Sequence, residues 1–356
     1  MFPTPRHATD TMTFIATLPP APQTKLTRIG RFSVTHELGR GSIGVVYLGH
    51  DPIIDRAVAI KTFRSRLSPV ERKQHEQQFI NEARAAGRLA HSNIVTIYEA
   101  SSEGDSTYIA MEYLQGRELN KLLDAGHRFT PDDVASITWK IADALDHAHK
   151  HGVVHRDIKP ANIFLVADHQ PKIVDFGIAR TPNRISDLPQ KEGEPHTLFQ
   201  DNILGTPNYM SPEQALGLNS DARTDIYSLG AVMYEMLTFR KPFQSEDTHK
   251  LLHNIAFKAA PEPHMVETGV PLALSKIVVK AMSKKADKRY QTADEMALDI
   301  KRYLTRTRRE NERTTKSVVE IEQPANAPDF HSSHLFWPAC SVIVAALITV
   351  YTIWFR

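Results

Sequence analysis

The chain has 356 residues, of which 41% are hydrophobic and 24% are charged, and its formal net charge is +2. This composition is typical of a folded globular protein and excludes a disordered chain. The small net charge gives no reason to expect nucleic acid as a partner. The single cysteine, Cys340, excludes an internal disulfide framework.

Residues 1–31 predict a flexible N-terminal arm. They are rich in proline and threonine and have no sustained apolar period. No apolar segment long enough for a secretory signal follows the first charged residues. From residue 32 to about residue 304 the chain is continuously patterned, which indicates one folded domain.

Residues 32–114 predict short strands interrupted by one helix. The segments 45–48 and 57–60 are apolar and rich in β-branched residues, as strands are. Between residues 76 and 89 the apolar residues recur near a 3.6 period, which predicts the helix. From residue 115 to 304 the pattern is mostly helical, with helices predicted over 134–150, 224–237, 272–282 and 293–304. The predicted fold class is therefore α+β, with a small β-rich lobe and a larger helical lobe.

The segment 39–45 matches the pattern G-x-G-x-x-G-x-V between two strand-like runs. Glycine lets the backbone approach phosphates closely and adopt positive φ. Dinucleotide-binding folds use the same spacing, but there a helix follows the loop directly, whereas 45–48 favours a strand. A plain glycine turn stays open as the alternative. Lys61 ends an apolar strand and needs an anion if it is buried, whereas an exposed Lys61 would need none.

Three further motifs follow in order. The segment 155–162 matches H-R-D-x-x-x-x-N, Asp175 begins an Asp-Phe-Gly sequence, and 205–213 matches G-T-x-x-Y-x-[AS]-P-E. With these motifs the chain resembles the eukaryotic-type (Hanks-type) serine/threonine protein kinase family, and wording such as Ser-Pro-Glu-Gln-Ala resembles its bacterial branch. The resemblance covers 32–304 and implies a bilobal protein kinase fold, with an N-lobe over 32–114 and a C-lobe over 115–304.

The resemblance implies catalytic and metal-binding roles. Asp157 would accept the proton of the substrate hydroxyl, and Lys159 would neutralise charge on the transferring phosphoryl group. Asn162 and Asp175 would hold Mg²⁺, for which Mn²⁺ could substitute.

The ATP site is implied in the same way. Lys61 would hold the α- and β-phosphates, with Glu82 fixing its position. The glycine loop, the strands beside it and the hinge would supply Leu38, Gly39, Arg40, Gly41, Ser42, Ile43, Gly44, Val45, Val46, Ala59, Glu112 and Leu114. For the hinge and adenine residues, ordinary core packing is the alternative.

The resemblance also implies structural residues. Glu213 would form a buried ion pair with Arg289, and Asp225 would brace the catalytic loop. Four neighbouring histidines suggest a zinc cluster by composition, but His147 and His149 lie on different faces of the predicted helix, so a structural role is favoured.

Arg156, directly before the catalytic aspartate, resembles the arginine of kinases that are switched on by phosphorylation of the activation segment, which here would run from Asp175 to Glu213. A phosphate on Thr197 could pair with Arg156 and order the segment. Thr206 is the second candidate, and it also resembles the threonine that hydrogen-bonds the catalytic aspartate and lysine.

Residues 305–334 predict a basic linker, and residues 335–355 predict a transmembrane helix. Seven lysines and arginines stand against two glutamates over 301–316, and no charged residue occurs over 335–355. At 1.5 Å per residue this apolar segment spans about 31 Å, close to the hydrocarbon thickness of a bilayer. A buried core helix is the alternative. The basic residues before this segment predict a single-pass protein of the cell inner membrane with its kinase domain in the cytoplasm. Only Arg356 follows the segment, so we expect no external sensor in this chain.

Together these features predict a membrane-anchored signalling kinase that transfers the γ-phosphoryl group of ATP to Ser/Thr hydroxyls of protein substrates. It would phosphorylate its own activation segment, and it could dimerise to do so in trans. The alternative is a pseudokinase scaffold, which would need a broken Lys61, Asp157, Asn162 or Asp175. A small-molecule kinase of related fold would lack the 205–213 segment.

Overall fold

The computed structural model describes residues 28–41, 44–63, 69–103, 106–175 and 207–322. Within the first helix and after Arg313, several side chains, that of Glu82 among them, lie outside this description. The chain divides into two compact units, Met1–Leu304 and Thr305–Arg356. Most of the predicted N-terminal arm and the whole segment 335–355 therefore lie outside the described residues.

The N-lobe is built on an antiparallel sheet. In the described part of the chain the strand order across this sheet is β1-β2-β3-β4-β6-β5. The strands are β1 (Arg28–Ile29), β2 (Phe32–Arg40), β3 (Gly44–Asp51), β4 (Arg56–Phe63), β5 (Ile97–Glu103) and β6 (Ser106–Glu112), and helix α1 (Pro69–Ala86) follows β4.

The two faces of strand β3 have different neighbours, because successive side chains of a strand point to opposite faces. Val45 and Tyr47 are buried in one cluster with Phe32. Val46 lies on the other face, where it packs against a second cluster that includes Ala59 of β4. This second face borders the cleft between the lobes.

The C-lobe is mostly helical and carries a small sheet with strand order β7-β8-β9. The sheet consists of β7 (Arg117–Glu118), β8 (Ile163–Val166) and β9 (Gln170–Ile173). The helices are α2 (Leu119–Asp124), α3 (Pro131–Lys150), α4 (Pro212–Ala215), α5 (Arg223–Thr238), α6 (Thr248–Phe257), α7 (Pro263–Val266), α8 (Leu272–Ala281) and α9 (Ala293–Glu322). Helix α5 is buried along almost its whole length and forms the centre of this lobe. A helix that is surrounded on all sides holds its side chains in fixed positions, which matters for the site described below.

The predicted α+β fold with two lobes is confirmed over the described residues, but several helix boundaries were wrong. Helix α1 begins at Pro69 rather than at residue 76, because its charged first half has no apolar period. Helix α3 begins at Pro131 rather than at residue 134, because Thr130 and Asp133 form a reciprocal capping box. Helix α9 continues to Glu322 rather than ending at residue 304, through a polar stretch without an apolar stripe.

The predicted transmembrane helix is not among the elements seen. In the described part of the chain, none of the helices combines the length and the hydropathy needed to cross a membrane. The segment 335–355 lies outside that part.

Candidate active site

The catalytic loop, residues 155–162, connects α3 to β8, and a buried side chain of helix α5 holds its backbone. Asp225 of α5 is fully buried. Its carboxylate accepts hydrogen bonds from the backbone N–H of His155 at 2.8 Å and of Arg156 at 2.7 Å. It also contacts Nε2 of His149 at 2.8 Å. A buried carboxylate needs such partners, so Asp225 fixes the backbone at the start of the loop.

His155 holds the next part of the loop and is present as one defined tautomer. The backbone N–H of Asp157 donates to Nδ1 of His155 at 3.2 Å, so this nitrogen acts as the acceptor. Nε2 therefore carries the proton and faces the carbonyl oxygen of Val174 at 3.3 Å. Burial lowers the pKa of His155, which favours this neutral form, although Asp225 and Asp157 oppose the shift.

Asp157 is held at the cleft by two neighbours from its own loop. The ammonium of Lys159 lies 2.8 Å from Oδ2 of Asp157. Nδ2 of Asn162 donates to the same oxygen at 3.1 Å and to the backbone carbonyl of Asp157 at 2.8 Å. Because these bonds use the nitrogen of the amide, its oxygen is the atom through which Asn162 would contact a cation.

Lys61 and Asp175 meet across the cleft. The ammonium of Lys61 on β4 lies 2.8 Å from Oδ2 of Asp175, which follows β9. Burial alone would raise the pKa of Asp175, but the Lys61 ammonium outweighs it and holds that pKa below its usual value. Lys61 thus contacts an anion, as its position in an apolar strand predicted. The side chain of Glu82, the other predicted partner, lies outside the described residues.

This arrangement fits a divalent metal ion and a nucleotide phosphate. Asp175 and Asn162 offer a carboxylate and an amide oxygen, which are the hard ligands that Mg²⁺ prefers. Apart from its two chain neighbours, no atom of the described residues lies within 4 Å of a Cβ added at Gly39, so packing in that part of the chain does not explain the glycine. Open space over this backbone is what the close approach of a phosphate would require.

The glycine loop is only partly as predicted. In the described part of the chain, the glycines with positive φ do not include Gly39, Gly41 or Gly44, so a left-handed backbone does not explain them. The N–H of Gly41 donates to the carbonyl of Gly44 at 2.9 Å. Ser42 and Ile43 lie outside the described residues.

The residues predicted to bind the nucleotide are not all in one place. Ala59 is buried on the cleft side of the sheet, and Val46 and Leu114 pack against it. Val45 points into the opposite face of the sheet, because it is one residue out of phase with Val46. Leu38 on β2 is 39% exposed and is not part of the cluster around Ala59.

Two other predicted contacts to the nucleotide are restricted by bonds already made. The backbone N–H of Glu112 donates to the carbonyl of Thr96 at 2.9 Å, so Glu112 could contact adenine only through its own carbonyl oxygen. The guanidinium of Arg40 binds Glu37 on the same strand at 2.8 Å, at the exposed rim of the sheet.

Below the catalytic loop, Glu213 and Arg289 form the predicted buried ion pair. The two terminal nitrogens of Arg289 each donate to one carboxylate oxygen of Glu213 at 2.7 Å. Thr224 donates to Glu213 as well, at 2.7 Å. This pair anchors the end of the activation segment to the C-lobe. Thr197 and Thr206, the predicted regulatory threonines, lie outside the described residues.

One contact at this anchor was not predicted. The side chain of Gln214 donates from Nε2 to the carbonyl of Arg156 at 2.8 Å, so it reaches the catalytic loop. The sequence did carry a signal for part of this arrangement, because Ser211 and Gln214 have the S-x-x-Q spacing of a capping box. That spacing indicates a helix start but does not indicate the contact with the loop.

The histidines are used as hydrogen-bonding and packing residues. His149 and His155 contact Asp225 and Val174 as described, and the rings of His147 and His151 pack in a tilted arrangement with 4.4 Å between centroids. Within the residues that the structure describes, no group of three histidine, cysteine or acidic side chains could hold a metal ion.

The chain is similar to known proteins along most of its length. The family model described as "Protein kinase domain" matches residues 32–317. Serine/threonine-protein kinase PrkC of Bacillus subtilis is 35% identical over 298 residues, which is 84% of this chain and 44% of that protein. Serine/threonine-protein kinase Pkn1 of Myxococcus xanthus is 35% identical over 308 residues, 85% of this chain and 43% of that protein. The chain thus spans less than half the length of these curated relatives.

The solved structures agree on the fold. The crystal structure of the Mycobacterium tuberculosis PknI kinase domain superposes with a TM-score of 0.59 at 22% identity, and the match covers 77% of this chain and 96% of that structure. At this identity the likeness speaks for the fold alone.

Proposed function

Because the chain belongs to the protein kinase domain family, as its Hanks-type motifs predicted, we propose that it transfers the γ-phosphoryl group of ATP to Ser/Thr hydroxyls of protein substrates. The observation that carries the proposal is the position of Asp157. Its carboxylate is fixed by Lys159 and Asn162 at the cleft, with the ion pair of Lys61 and Asp175 opposite.

In this proposal Asp157 acts as the base that receives the hydroxyl proton of the substrate. A general base must be oriented before it can act, and the contacts with Lys159 and Asn162 restrict the carboxylate to one orientation. Lys159 would contact the transferring phosphoryl group from the same side and offset its negative charge.

The bound nucleotide supplies the phosphoryl group, and a divalent cation offsets the charge of its phosphates. Asp175 and Asn162 would hold the cation, and Lys61 would hold the phosphates. The depressed pKa of Asp175 keeps its carboxylate ionised and ready to bind a cation at neutral pH.

The acceptor preference rests on Lys159 and Thr206. Both resemble residues of serine/threonine kinases rather than tyrosine kinases. The names of the relatives above state serine/threonine specificity for those proteins, which supports the same preference here. Protein rather than small-molecule substrates are favoured by the 205–213 segment.

We further propose autophosphorylation in trans within a transient dimer, with Thr197 as the first target and Thr206 as the second. Nε of Arg156 is buried and has no hydrogen-bond partner in the described part of the chain. A phosphate reaching this arginine would supply one. Mass spectrometry of the intact chain and of the Asp157→Asn variant tests this, and equal phosphorylation of Thr197 in both would exclude self-activation.

Membrane attachment through residues 335–355 is also part of the proposal, with the kinase domain on the cytoplasmic side. The side chains of Arg306 and Arg308 are 82% and 83% exposed and pair with Glu310 and Glu312, and anionic lipid headgroups could compete for these exposed pairs. Detergent-free fractionation of the whole chain and of a chain ending at Asp329 tests the anchor. A shortened protein that stays in the membrane pellet would refute it.

The test of the central proposal is transfer of labelled phosphate from ATP to a generic basic protein, followed by phosphoamino-acid analysis. Asp157→Asn should lower the rate by about 10²- to 10⁴-fold, the usual contribution of a general base. Asp55→Asn is the matched control, because Asp55 is 95% exposed and lies on the turn after β3, and its rate should be unchanged. No transfer by the unchanged chain would favour the pseudokinase, and phosphotyrosine as the product would contradict the acceptor preference.

A further inference from the structure

The geometry points to Gln214 as a positioning residue that couples the end of the activation segment to the orientation of Asp157. This inference rests on the proposed kinase function, and it adds a residue to that site. Gln214 is the fourth residue of the Ser-Pro-Glu-Gln sequence that opens helix α4, and it lies 58 positions after Arg156 in the chain.

Both ends of the Gln214 side chain are engaged. Oε1 accepts a hydrogen bond from the backbone N–H of Ser211 at 3.0 Å, and Nε2 donates to the backbone carbonyl of Arg156 at 2.8 Å. Only an oxygen can accept from the N–H and only an NH₂ group can donate to the carbonyl, so the orientation of the amide is determined by its partners. A carboxylate or an apolar side chain could not make both contacts.

The carbonyl that Gln214 binds belongs to the peptide bond between Arg156 and Asp157. The N–H of the same peptide bond donates to His155 at 3.2 Å. A peptide unit is planar, so holding its oxygen and its N–H on opposite sides determines its orientation. The first backbone torsion of Asp157 starts from that plane, and Gln214 therefore helps to aim the catalytic carboxylate.

The peptide unit needs this support because Arg156 is in an unfavourable conformation. Its φ is +64°, in the left-handed region that residues other than glycine seldom adopt. Asp225 holds the N–H of Arg156 at 2.7 Å, and Gln214 holds its carbonyl. Two side chains from separate helices, α5 and α4, thus keep Arg156 in this conformation.

The other end of the connection is rigid. Ser211 is fully buried, and its hydroxyl accepts from the N–H of Gln214 at 3.3 Å and lies 3.3 Å from the Thr224 hydroxyl. Glu213, the residue before Gln214, is held by Arg289 through two bonds of 2.7 Å. The two bonds between Arg289 and Glu213 fix helix α4 to the C-lobe independently of the Ser211 hydroxyl, and a shift of this ion pair would pass to the catalytic loop through Gln214.

A role confined to capping helix α4 is the plain alternative. The cap uses Oε1 of Gln214 and the hydroxyl of Ser211, whereas the contact with Arg156 uses Nε2 and adds nothing to the cap. The two roles can be separated by substitution. Ser211→Ala removes the hydroxyl of the cap and leaves the Gln214 amide, whereas Gln214→Glu keeps an acceptor for Ser211 and places an oxygen against the Arg156 carbonyl.

We expect Gln214→Leu and Gln214→Glu to lower kcat by about threefold to tenfold, which corresponds to the loss of one hydrogen bond of ordinary strength. KM for ATP should stay within about twofold, because the contact lies away from the phosphates. Ser211→Ala should keep kcat close to that of the unchanged chain. All proteins are full-length and are kept in the same mild detergent, and urea midpoints report their stability.

Hydrogen–deuterium exchange gives a second readout that needs no activity. In both Gln214 variants the peptide containing residues 155–158 should exchange faster, by a factor similar to the fall in kcat, while Ser211→Ala should not change it. If Gln214→Leu fails to fold, the isosteric Gln214→Glu carries the test. Unchanged exchange and unchanged kcat in Gln214→Glu would overturn the inference, as would an equal loss in Ser211→Ala. If the unchanged chain transfers no phosphate, the proposed function fails, but the exchange comparison still decides the role of Gln214.

Discussion

Arg289 offers the sharpest test of how the C-lobe holds the activation segment. Its side chain is fully buried, and all five of its N–H groups donate hydrogen bonds. Two go to Glu213, and the other three go to backbone carbonyls of Ser283, Arg223 and Lys284. Lysine has the same charge but only three donors and no planar fork, so Arg289→Lys should not be conservative.

The expected loss follows from this count of bonds. Removing one partner of a buried ion pair costs about 3–5 kcal/mol, because the other charge is left without compensation. We therefore expect Arg289→Met to lower the free energy of unfolding by about that amount. Arg289→Lys keeps the charge but loses two of the five donors. At about 1 kcal/mol for each lost hydrogen bond, and up to about 1 kcal/mol more because the remaining bonds change geometry, it should cost about 2–3 kcal/mol. Either is a large fraction of the roughly 5–15 kcal/mol that keeps a domain folded.

Urea unfolding of the full-length variants measures these changes through the midpoint and slope of the transition. Arg302→Met is the matched control, because Arg302 pairs with Asp299 at 2.8 Å but is 77% exposed. Exposed pairs contribute about 0–1 kcal/mol, so this variant should be near neutral. A loss for Arg289→Met as small as that of the control would refute the reasoning.

The ion pair of Glu213 and Arg289 should also make the stability of the protein depend on pH in the acid range. Burial opposes ionisation of Glu213, but the bonds from Arg289 outweigh it and lower the pKa of Glu213. A carboxyl group with a depressed pKa in the folded state stabilises the protein above its unfolded pKa of about 4.3 and loses this contribution as the pH falls through the folded value. The unchanged chain should thus lose stability below about pH 4 more steeply than Arg289→Met.

Two other predictions concern a glycine and a lysine. Gly30→Ala should cost about 2–4 kcal/mol in urea unfolding, because φ is +54° and the new Cβ would lie 2.1 Å from the Tyr108 hydroxyl oxygen. Gly126→Ala should cost only about 1–2 kcal/mol, because φ is +74° but no described residue beyond its chain neighbours comes within 4 Å of the new Cβ. Equal losses would contradict the steric argument. Burial lowers the pKa of Lys284 to about 8, whereas the unfolded value is about 10.4. Between about pH 8 and pH 10.4 the unfolded state therefore binds more protons than the folded state. The free energy of unfolding should rise with pH over this range. Lys284→Met should flatten the rise in urea midpoint between about pH 7.5 and 9.5, and an unchanged slope would show that another group causes it.

Several parts of the site could be predicted because their residues belong to short motifs that follow one another in a fixed order. Glu213 and Arg289 are 76 positions apart, yet each stands at a recognisable place in its own motif, and the contact between them is present. Asp225 was expected to brace the catalytic loop, and its carboxylate does contact the loop backbone. Lys61 was expected to contact an anion, which in this structure is Asp175.

Other parts could not be predicted from such patterns. Val45 was assigned to the nucleotide site with Val46, but adjacent residues of a strand face opposite sides, and which side faces the cleft depends on how the sheet packs. Glu112 and Arg40 carry the expected residue types, yet the hydrogen bonds that each already makes restrict what they can contact. Arg40 is restricted by Glu37, three positions away, and Glu112 is restricted by Thr96, sixteen positions away. Residue type alone does not reveal either bond.

The amino-acid sequence by itself determined the family, the order of the two lobes and the chemical groups at the cleft. These depend on residue type and on spacing along the chain, which the sequence gives directly. The tertiary structure decided which of these groups touch. The left-handed backbone of Arg156 and its contact with Gln214 arise only when helices α4 and α5 close on the catalytic loop, since a hydrogen bond depends on the distance and angle between atoms and not on separation along the chain.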